Sequence, residues 1–140
     1  MATALTSGDA SPATTTSCQP TSPAISGLHL IAELTGCTDT PLFTDATRLE
    51  ATCVDLVRQA GLLDVGRHFH TFGDGEGVTG TVVLAESHLC IHTWPEHRFV
   101  TLDVYVCNYS GDNSAKARSL TNQLIELFKP DHQRLREVVR

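Results

Sequence analysis

The chain has 140 residues, a formal net charge of −6 and a hydrophobic content of 41%, which together predict one soluble globular domain. The acidic balance disfavours a nucleic-acid partner, because proteins that bind nucleic acid usually carry a basic patch. No apolar run reaches the roughly 18 residues that span a bilayer, so we expect no membrane partner.

The N-terminal segment, residues 1–26, is rich in Ser, Thr, Pro and Ala. Such a composition buries too little apolar surface to offset the entropy lost on ordering, so we predict a disordered tail. The segment has neither the features of a signal peptide nor the arginines of a transit peptide. The five cysteines are scattered without a C-x-x-C motif, which argues against a disulfide framework and a structural zinc site. We therefore expect a reducing, cytoplasmic location.

Residues 27–140 are expected to form the folded domain. Apolar periodicity and turn residues predict a strand at 28–34, a helix at 45–59 and a strand at 62–72. Residues 78–85, 89–93 and 99–107 predict three more strands, and residues 115–128 predict a second amphipathic helix. This order predicts an α+β fold, namely a two-layer sandwich with two helices on one face of a mainly antiparallel sheet.

The stretch with the most chemical information is residues 85–96, which read AESHLCIHTWPE. On a regular strand alternate side chains share a face, so Ser87 would point away from the face that carries His92. These two residues can act together within one strand only if the chain turns or bulges near residues 86 and 87.

The residues alone leave three interpretations open. The histidines can be structural members of a sheet. They can instead hold a metal together with nearby donors; the candidate donors are His68, His70, His88, Cys90 and His92. No dedicated zinc spacing is present, so we predict no metal ligand. Ser87 can also be the nucleophile of a Ser-His hydrolase, although it lacks the G-x-S-x-G elbow.

Residues 86–96 resemble the self-cleavage motif of the short prokaryotic S-adenosylmethionine decarboxylases. Three further segments resemble this family in the same order along the chain. Residues 27–34 (GLHLIAEL) are similar to its first strand, residues 77–80 (GVTG) to its Gly-Val-Ser-Gly, and residues 102–107 (LDVYVC) to its cysteine-bearing strand. The chain is thereby identified as a member of this self-processing, pyruvoyl-dependent family.

The resemblance implies that the chain cleaves itself between Glu86 and Ser87. The Ser87 hydroxyl attacks the Glu86 carbonyl, and β-elimination from the resulting ester leaves dehydroalanine at residue 87. Hydrolysis of the dehydroalanine then gives a pyruvoyl group and releases ammonia. A β chain would end at residue 86 and an α chain would begin at residue 87. The pyruvoyl group binds the substrate amine as a Schiff base and is the electron sink that amino-acid decarboxylation requires.

Processing and proton-transfer roles carry over by position. His92 matches the histidine that assists elimination, and Cys107 matches the cysteine that donates a proton to the decarboxylated carbon. A thiol suits that role because thiols are mostly protonated near neutral pH. Thr79 departs from the family serine whose hydroxyl assists processing. Threonine restricts χ1 but keeps the hydroxyl. Because the hydroxyl is retained, we expect processing to remain competent.

Substrate-binding roles carry over in the same way. Glu96 matches the acidic residue that holds the ribose hydroxyls, and Phe69 or Phe72 is expected to stack on adenine. The expected activity is decarboxylation of S-adenosylmethionine for spermidine biosynthesis by a dimer of αβ protomers with active sites near the interface.

Two alternatives stay open. The same chemistry can act on arginine or ornithine, because a single carboxylate such as Glu96 can also bind a guanidinium group. A non-catalytic, unprocessed paralogue would have lost a processing residue, whereas Ser87, His92 and Cys107 are all present.

Overall fold

The structure is a computed structural model that describes residues 25–140. Most of the predicted tail, residues 1–26, therefore lies outside the described residues. The first strand begins at Gly27, the position at which the sequence predicts the folded domain to start. Within the described residues, no helix has the length and apolar character needed to cross a membrane.

Six strands and two helices make up the described chain. The strands are β1 (Gly27–Thr35), β2 (Asp64–Thr71), β3 (Val78–Leu84), β4 (Ser87–Trp94), β5 (Phe99–Cys107) and β6 (His132–Val139); the helices are α1 (Ala46–Gln59) and α2 (Ser114–Phe128). Two short 3₁₀ turns occupy Pro41–Phe43 and Pro95–His97. The predicted helices agree with α1 and α2 within one residue at each end.

The strands form one antiparallel sheet in the order β2-β3-β4-β5-β1-β6. Alternate residues of the four central strands are buried and face the helices, as the period of two in a strand requires. Helix α1 packs on β2 and β3, and α2 packs on β1 and β5. The predicted two-layer α+β sandwich is confirmed.

The C-terminal strand β6 was not predicted, and β4 begins two residues earlier than predicted. Strand β6 has the sequence HQRLREVV, and only Leu135 is partly buried against the core. An edge strand needs few apolar residues because one side of it faces solvent. The sequence of β6 therefore has almost no hydrophobic pattern, and its strand conformation depends on its pairing with β1.

The second face of the sheet carries no helix, and we call it the open face. It presents polar side chains from all six strands, among them His29, Thr79, His92 and Asp103. Single apolar side chains on it, such as Ile31 and Val83, are more than one third exposed. Most of the residues that the sequence predicts to be functional lie on this face or at its two ends.

Candidate active site

The Glu86–Ser87 bond lies at the end of a tight β-hairpin. Leu84 pairs with Ser87, which leaves only Ala85 and Glu86 in the turn between β3 and β4. The Ala85 N–H donates to the Leu63 carbonyl at 2.9 Å and holds the turn against the loop before β2. The turn occurs where the sequence predicts one, but it precedes Ser87, which is already the first residue of β4.

One backbone amide contacts both groups that would react. The Cys107 N–H donates to the Ser87 hydroxyl oxygen at 2.7 Å and to the Glu86 carbonyl oxygen at 3.1 Å. Attack by Ser87 on that carbonyl would place negative charge on the Glu86 oxygen, and a fixed N–H donor stabilises such an oxyanion. The same N–H would therefore orient the hydroxyl and polarise the carbonyl in such an attack.

Asn113 is a contributor that sequence reasoning missed. Its side-chain amide donates to Glu86 Oε2 and to the Cys107 carbonyl, both at 3.1 Å. Asn113 is the N-cap of α2. Asparagine at that position usually caps the helix with its side chain, but the Asn113 side chain makes no capping bond. The amide instead links the turn to the end of β5. No sequence pattern indicates this role, because Asn113 lies in a polar loop of similar residues.

The opposite end of β4 carries a second group of predicted residues. Thr79 Oγ1 lies 2.6 Å from His92 Nδ1, because residues 79 and 92 are directly paired between β3 and β4. A pocket of about 640 Å³ opens beside them, a size typical of small-molecule sites; its lining includes Phe72, Glu76, Thr79, His92, Trp94 and Glu96. We call it the His92 pocket.

Of the two candidate aromatic residues, only Phe72 lines the His92 pocket. Phe69 is partly buried against the core, and its ring covers Gly80 so closely that a Cβ at residue 80 would overlap it. The Phe72 side chain is 62% exposed and free to contact a ligand. Glu76 is a second carboxylate in the same pocket that the sequence analysis did not single out.

The two groups of residues do not meet within one chain. Ser87 and His92 are five residues apart on continuous β4, which at about 3.3 Å per residue separates them by roughly 16 Å. Ser87 lies on the helix-covered face with Leu89 and Ile91, whereas His92 lies on the open face. The predicted site therefore consists of two half-sites, one around Ser87 and Cys107 and one in the His92 pocket.

The donors considered for a metal are not gathered into one cluster. In the described part of the chain, the one group of three His, Cys, Asp or Glu residues with mutually close ligand atoms is His29, His88 and Asp103. Cys90 instead contacts Thr81 Oγ1 at 3.3 Å. Burial raises the pKa of the Cys90 thiol, against the opposing effect of this hydrogen bond.

Comparisons with known proteins show which family the chain is similar to. The S-adenosylmethionine decarboxylase family model matches residues 28–140. The chain is 38% identical over 114 residues to the S-adenosylmethionine decarboxylase proenzyme of Pelotomaculum thermopropionicum, covering 81% of this chain and 86% of that protein. The proenzyme of Pseudomonas paraeruginosa is 39% identical over 98 residues, which cover 70% of this chain but 60% of that protein.

A solved structure has the same fold. The crystal structure of the adenosylmethionine decarboxylase from Aquifex aeolicus superposes with a TM-score of 0.67 at 35% sequence identity, covering 81% of this chain and 88% of that chain. The arrangement of strands and helices described above is thus shared with a protein of that name.

Proposed function

This chain belongs to the S-adenosylmethionine decarboxylase family, and we propose that it cleaves itself between Glu86 and Ser87 and then decarboxylates S-adenosylmethionine. The observation that carries the proposal is the Cys107 N–H, which donates to both the Ser87 hydroxyl and the Glu86 carbonyl. The decarboxylated product would serve spermidine biosynthesis.

Processing begins with the Ser87 hydroxyl. Attack on the Glu86 carbonyl closes a five-membered ring, with the developing oxyanion held by the Cys107 N–H. The C–N bond then breaks, the nitrogen takes up a proton, and an ester joins Glu86 to the Ser87 oxygen. Elimination removes the Ser87 α-proton and releases Glu86 as a carboxylate, which leaves dehydroalanine at residue 87. Water then hydrolyses the dehydroalanine, and the nitrogen leaves as ammonia. Because His92 of the same chain is distant, the base for the α-proton would be the His92 imidazole of a second copy, and imidazole is suitable for that proton. Thr79 Oγ1 would orient that ring through its 2.6 Å contact.

The group formed from Ser87 supplies the electron sink that decarboxylation of an α-amino acid needs. Cys107 lies beside this group, because it directly follows Val106, the strand partner of Ser87. The Cys107 thiol, at the end of β5 on the open-face side, would hold the proton that replaces the lost carboxylate. In the His92 pocket, Phe72 would stack on adenine and Glu96 would accept bonds from the ribose hydroxyls. Glu76 and the ring faces of the pocket suit a sulfonium cation.

The separation of the half-sites supports a dimer in which each active site is shared. Two copies related by a twofold axis perpendicular to β4 would bring the Ser87 end of one strand to the His92 end of the other. A twofold interface uses the same surface on both chains, so both sites would be completed at once. The open face suits this contact because Thr79, His92 and Cys107 all project on that side. Ser87 would join the site from the end of β4, where it contacts the Cys107 backbone.

Exposed apolar side chains on the open face favour the same contact. Ile31, Val83, Trp94 and Val138 are each between 36% and 43% exposed there. They are distributed over β1, β3, β4 and β6 rather than confined to one edge. Apolar side chains spread over a sheet face are typical of a surface that packs against a second sheet.

The substrate assay separates the proposed activity from the arginine and ornithine alternatives. We expect CO₂ release from carboxyl-labelled S-adenosylmethionine and at least about 100-fold less from arginine or ornithine, because the His92 pocket offers an aromatic face for a base. Glu96→Gln should raise KM for S-adenosylmethionine by about 10- to 100-fold, the value of one or two hydrogen bonds to a charged group. The measurement is the steady-state rate against substrate concentration.

Glu126→Gln is the matched control, because Glu126 is exposed on α2 and distant from the pocket. It should leave KM unchanged. Comparable release from arginine would assign the alternative substrate. A chain that stays uncleaved and releases no CO₂ from any of the three compounds would be the unprocessed paralogue.

Asn113→Ala should slow self-cleavage about 10-fold or more, because Glu86 and Cys107 both lose the amide that links them and a misplaced reacting group costs rate steeply. Cleavage is followed on denaturing gels after refolding from denaturant, at a temperature where thermal melts show variant and parent both folded. Asn122→Ala, an exposed asparagine on the same helix, is the control. Equal cleavage rates for Asn113→Ala and Asn122→Ala would show that Asn113 does not position the turn.

A further inference from the structure

Three side chains from three different strands meet on the open face. His29 comes from β1, His88 from β4 and Asp103 from the central β5. Asp103 Oδ2 lies 3.0 Å from His29 Nε2 and 3.2 Å from His88 Nε2. The ligand atoms of all three residues lie within 4.8 Å of one another.

The strand register explains this convergence. His29 and His88 are both directly paired with Tyr105, one from each side of β5. Asp103 is two residues from Tyr105 and therefore shares its face. Each imidazole reaches diagonally to the same carboxylate, as neighbouring side chains on one sheet face can.

The donor types and spacing match a metal site. Two imidazoles and one carboxylate are a recurrent ligand set for divalent transition metals. In a tetrahedral zinc site with bonds of about 2.0 to 2.1 Å, neighbouring ligand atoms lie about 3.3 Å apart. Two of the three donor–donor distances, 3.0 and 3.2 Å, are close to that spacing, and the third, between the two imidazoles, is within 4.8 Å.

The surroundings hold the imidazoles in place and leave the cluster accessible. The Tyr105 ring lies 5.6 Å from the His29 ring and 5.8 Å from the His88 ring, and the Arg140 guanidinium covers the Tyr105 ring at 4.6 Å. The side chains of His29, His88 and Asp103 are 18%, 37% and 28% exposed. Ligands fixed by packing lose little freedom when they bind an ion.

We propose that His29, His88 and Asp103 bind one divalent transition-metal ion per protomer, with Zn²⁺ as the best-matched ion. Three protein ligands leave one tetrahedral position open. Water or a group of the second protomer would occupy it. The site is independent of the proposed cleavage, since none of its three ligands has a role in that chemistry.

The test uses full-length, untagged protein, both wild type and Ser87→Ala, so that cleaved and uncleaved chains are compared. We expect one equivalent of Zn²⁺ per protomer by mass spectrometry of metals after equilibrium dialysis. Co²⁺ should give visible d–d absorption that saturates at the same stoichiometry. His88→Gln and Asp103→Asn should each weaken binding by at least about 100-fold, since even changes outside the ligand shell of metal sites cost about 10- to 100-fold.

His68→Gln is the matched control, because His68 lies on the same open face but on β2, outside the cluster. Asp103→Asn keeps the size of the side chain, and thermal unfolding of each variant checks that a loss of metal is not a loss of fold. Equal metal content in parent, His88→Gln and Asp103→Asn would overturn the proposal, as would a wild-type protein that retains no stoichiometric metal. Intact mass spectrometry reports cleavage separately, so the metal proposal and the cleavage proposal are tested independently of each other.

Discussion

Ser87→Ala should leave a single uncleaved chain of 140 residues and abolish CO₂ release. Alanine has no hydroxyl to attack the Glu86 carbonyl and no leaving group for elimination. Decarboxylase activity should fall by at least about 10⁴-fold, because no ordinary side chain delocalises the electrons left by a departing carboxylate. Intact mass spectrometry would find wild-type chains of residues 1–86 and 87–140, the second with a blocked N-terminus.

Ser110→Ala is the control for this experiment. Ser110 lines a small cavity together with Glu86 and Ser87 but has no role in the proposed chemistry. It should be cleaved and active like the wild type. Cleavage at an unchanged rate in Ser87→Ala, or wild-type fragments that end at a different bond, would contradict the proposed processing site.

A mixed dimer of Ser87→Ala and His92→Ala chains should be active although each variant alone is not. One of its two sites would combine an intact Ser87 with an intact His92, whereas the other would lack both. A purified mixed dimer should therefore show about half the wild-type activity per dimer. The chains are co-expressed with two different tags, purified over both, and assayed for CO₂ release and for cleavage of the His92→Ala chain.

The control is a mixed dimer of Ser87→Ala and Cys107→Ala. Both residues lie at the same end of the sheet, where the Cys107 N–H donates to Ser87, so neither site in this dimer would be complete. It should stay as inactive as its parents. If the mixed dimer of Ser87→Ala and His92→Ala forms but releases no more CO₂ than the control dimer, the site is not shared between copies.

The local sequence pattern was enough to predict most of the fold. Alternating apolar residues in β1 and β5 and the helical periods of α1 and α2 report burial directly, because each element must place one face in the core. The α1 boundaries were readable because Asp45 caps the helix through the Arg48 N–H and Gly61 follows it with φ +75. Strand β6 was missed because it is a polar edge strand whose place depends on its partner β1.

By itself, the sequence determined the family resemblance and the identity of the candidate residues. The motif at residues 86–96 and its flanking segments are local patterns, so they are readable without a fold. A linear motif gives the order of residues but says nothing of the distance between side chains once the strand is formed.

Only the tertiary structure decided which residues meet. The Cys107 N–H reaches Ser87 across 20 positions of the chain, and His29 reaches Asp103 across 74. Such contacts depend on strand register, which turn geometry and core packing fix together, and a shift of one residue would turn every side chain to the other face. The same register holds Ser87 and His92 at opposite ends of β4, and this separation is the reason for proposing an active site shared between two copies of the chain.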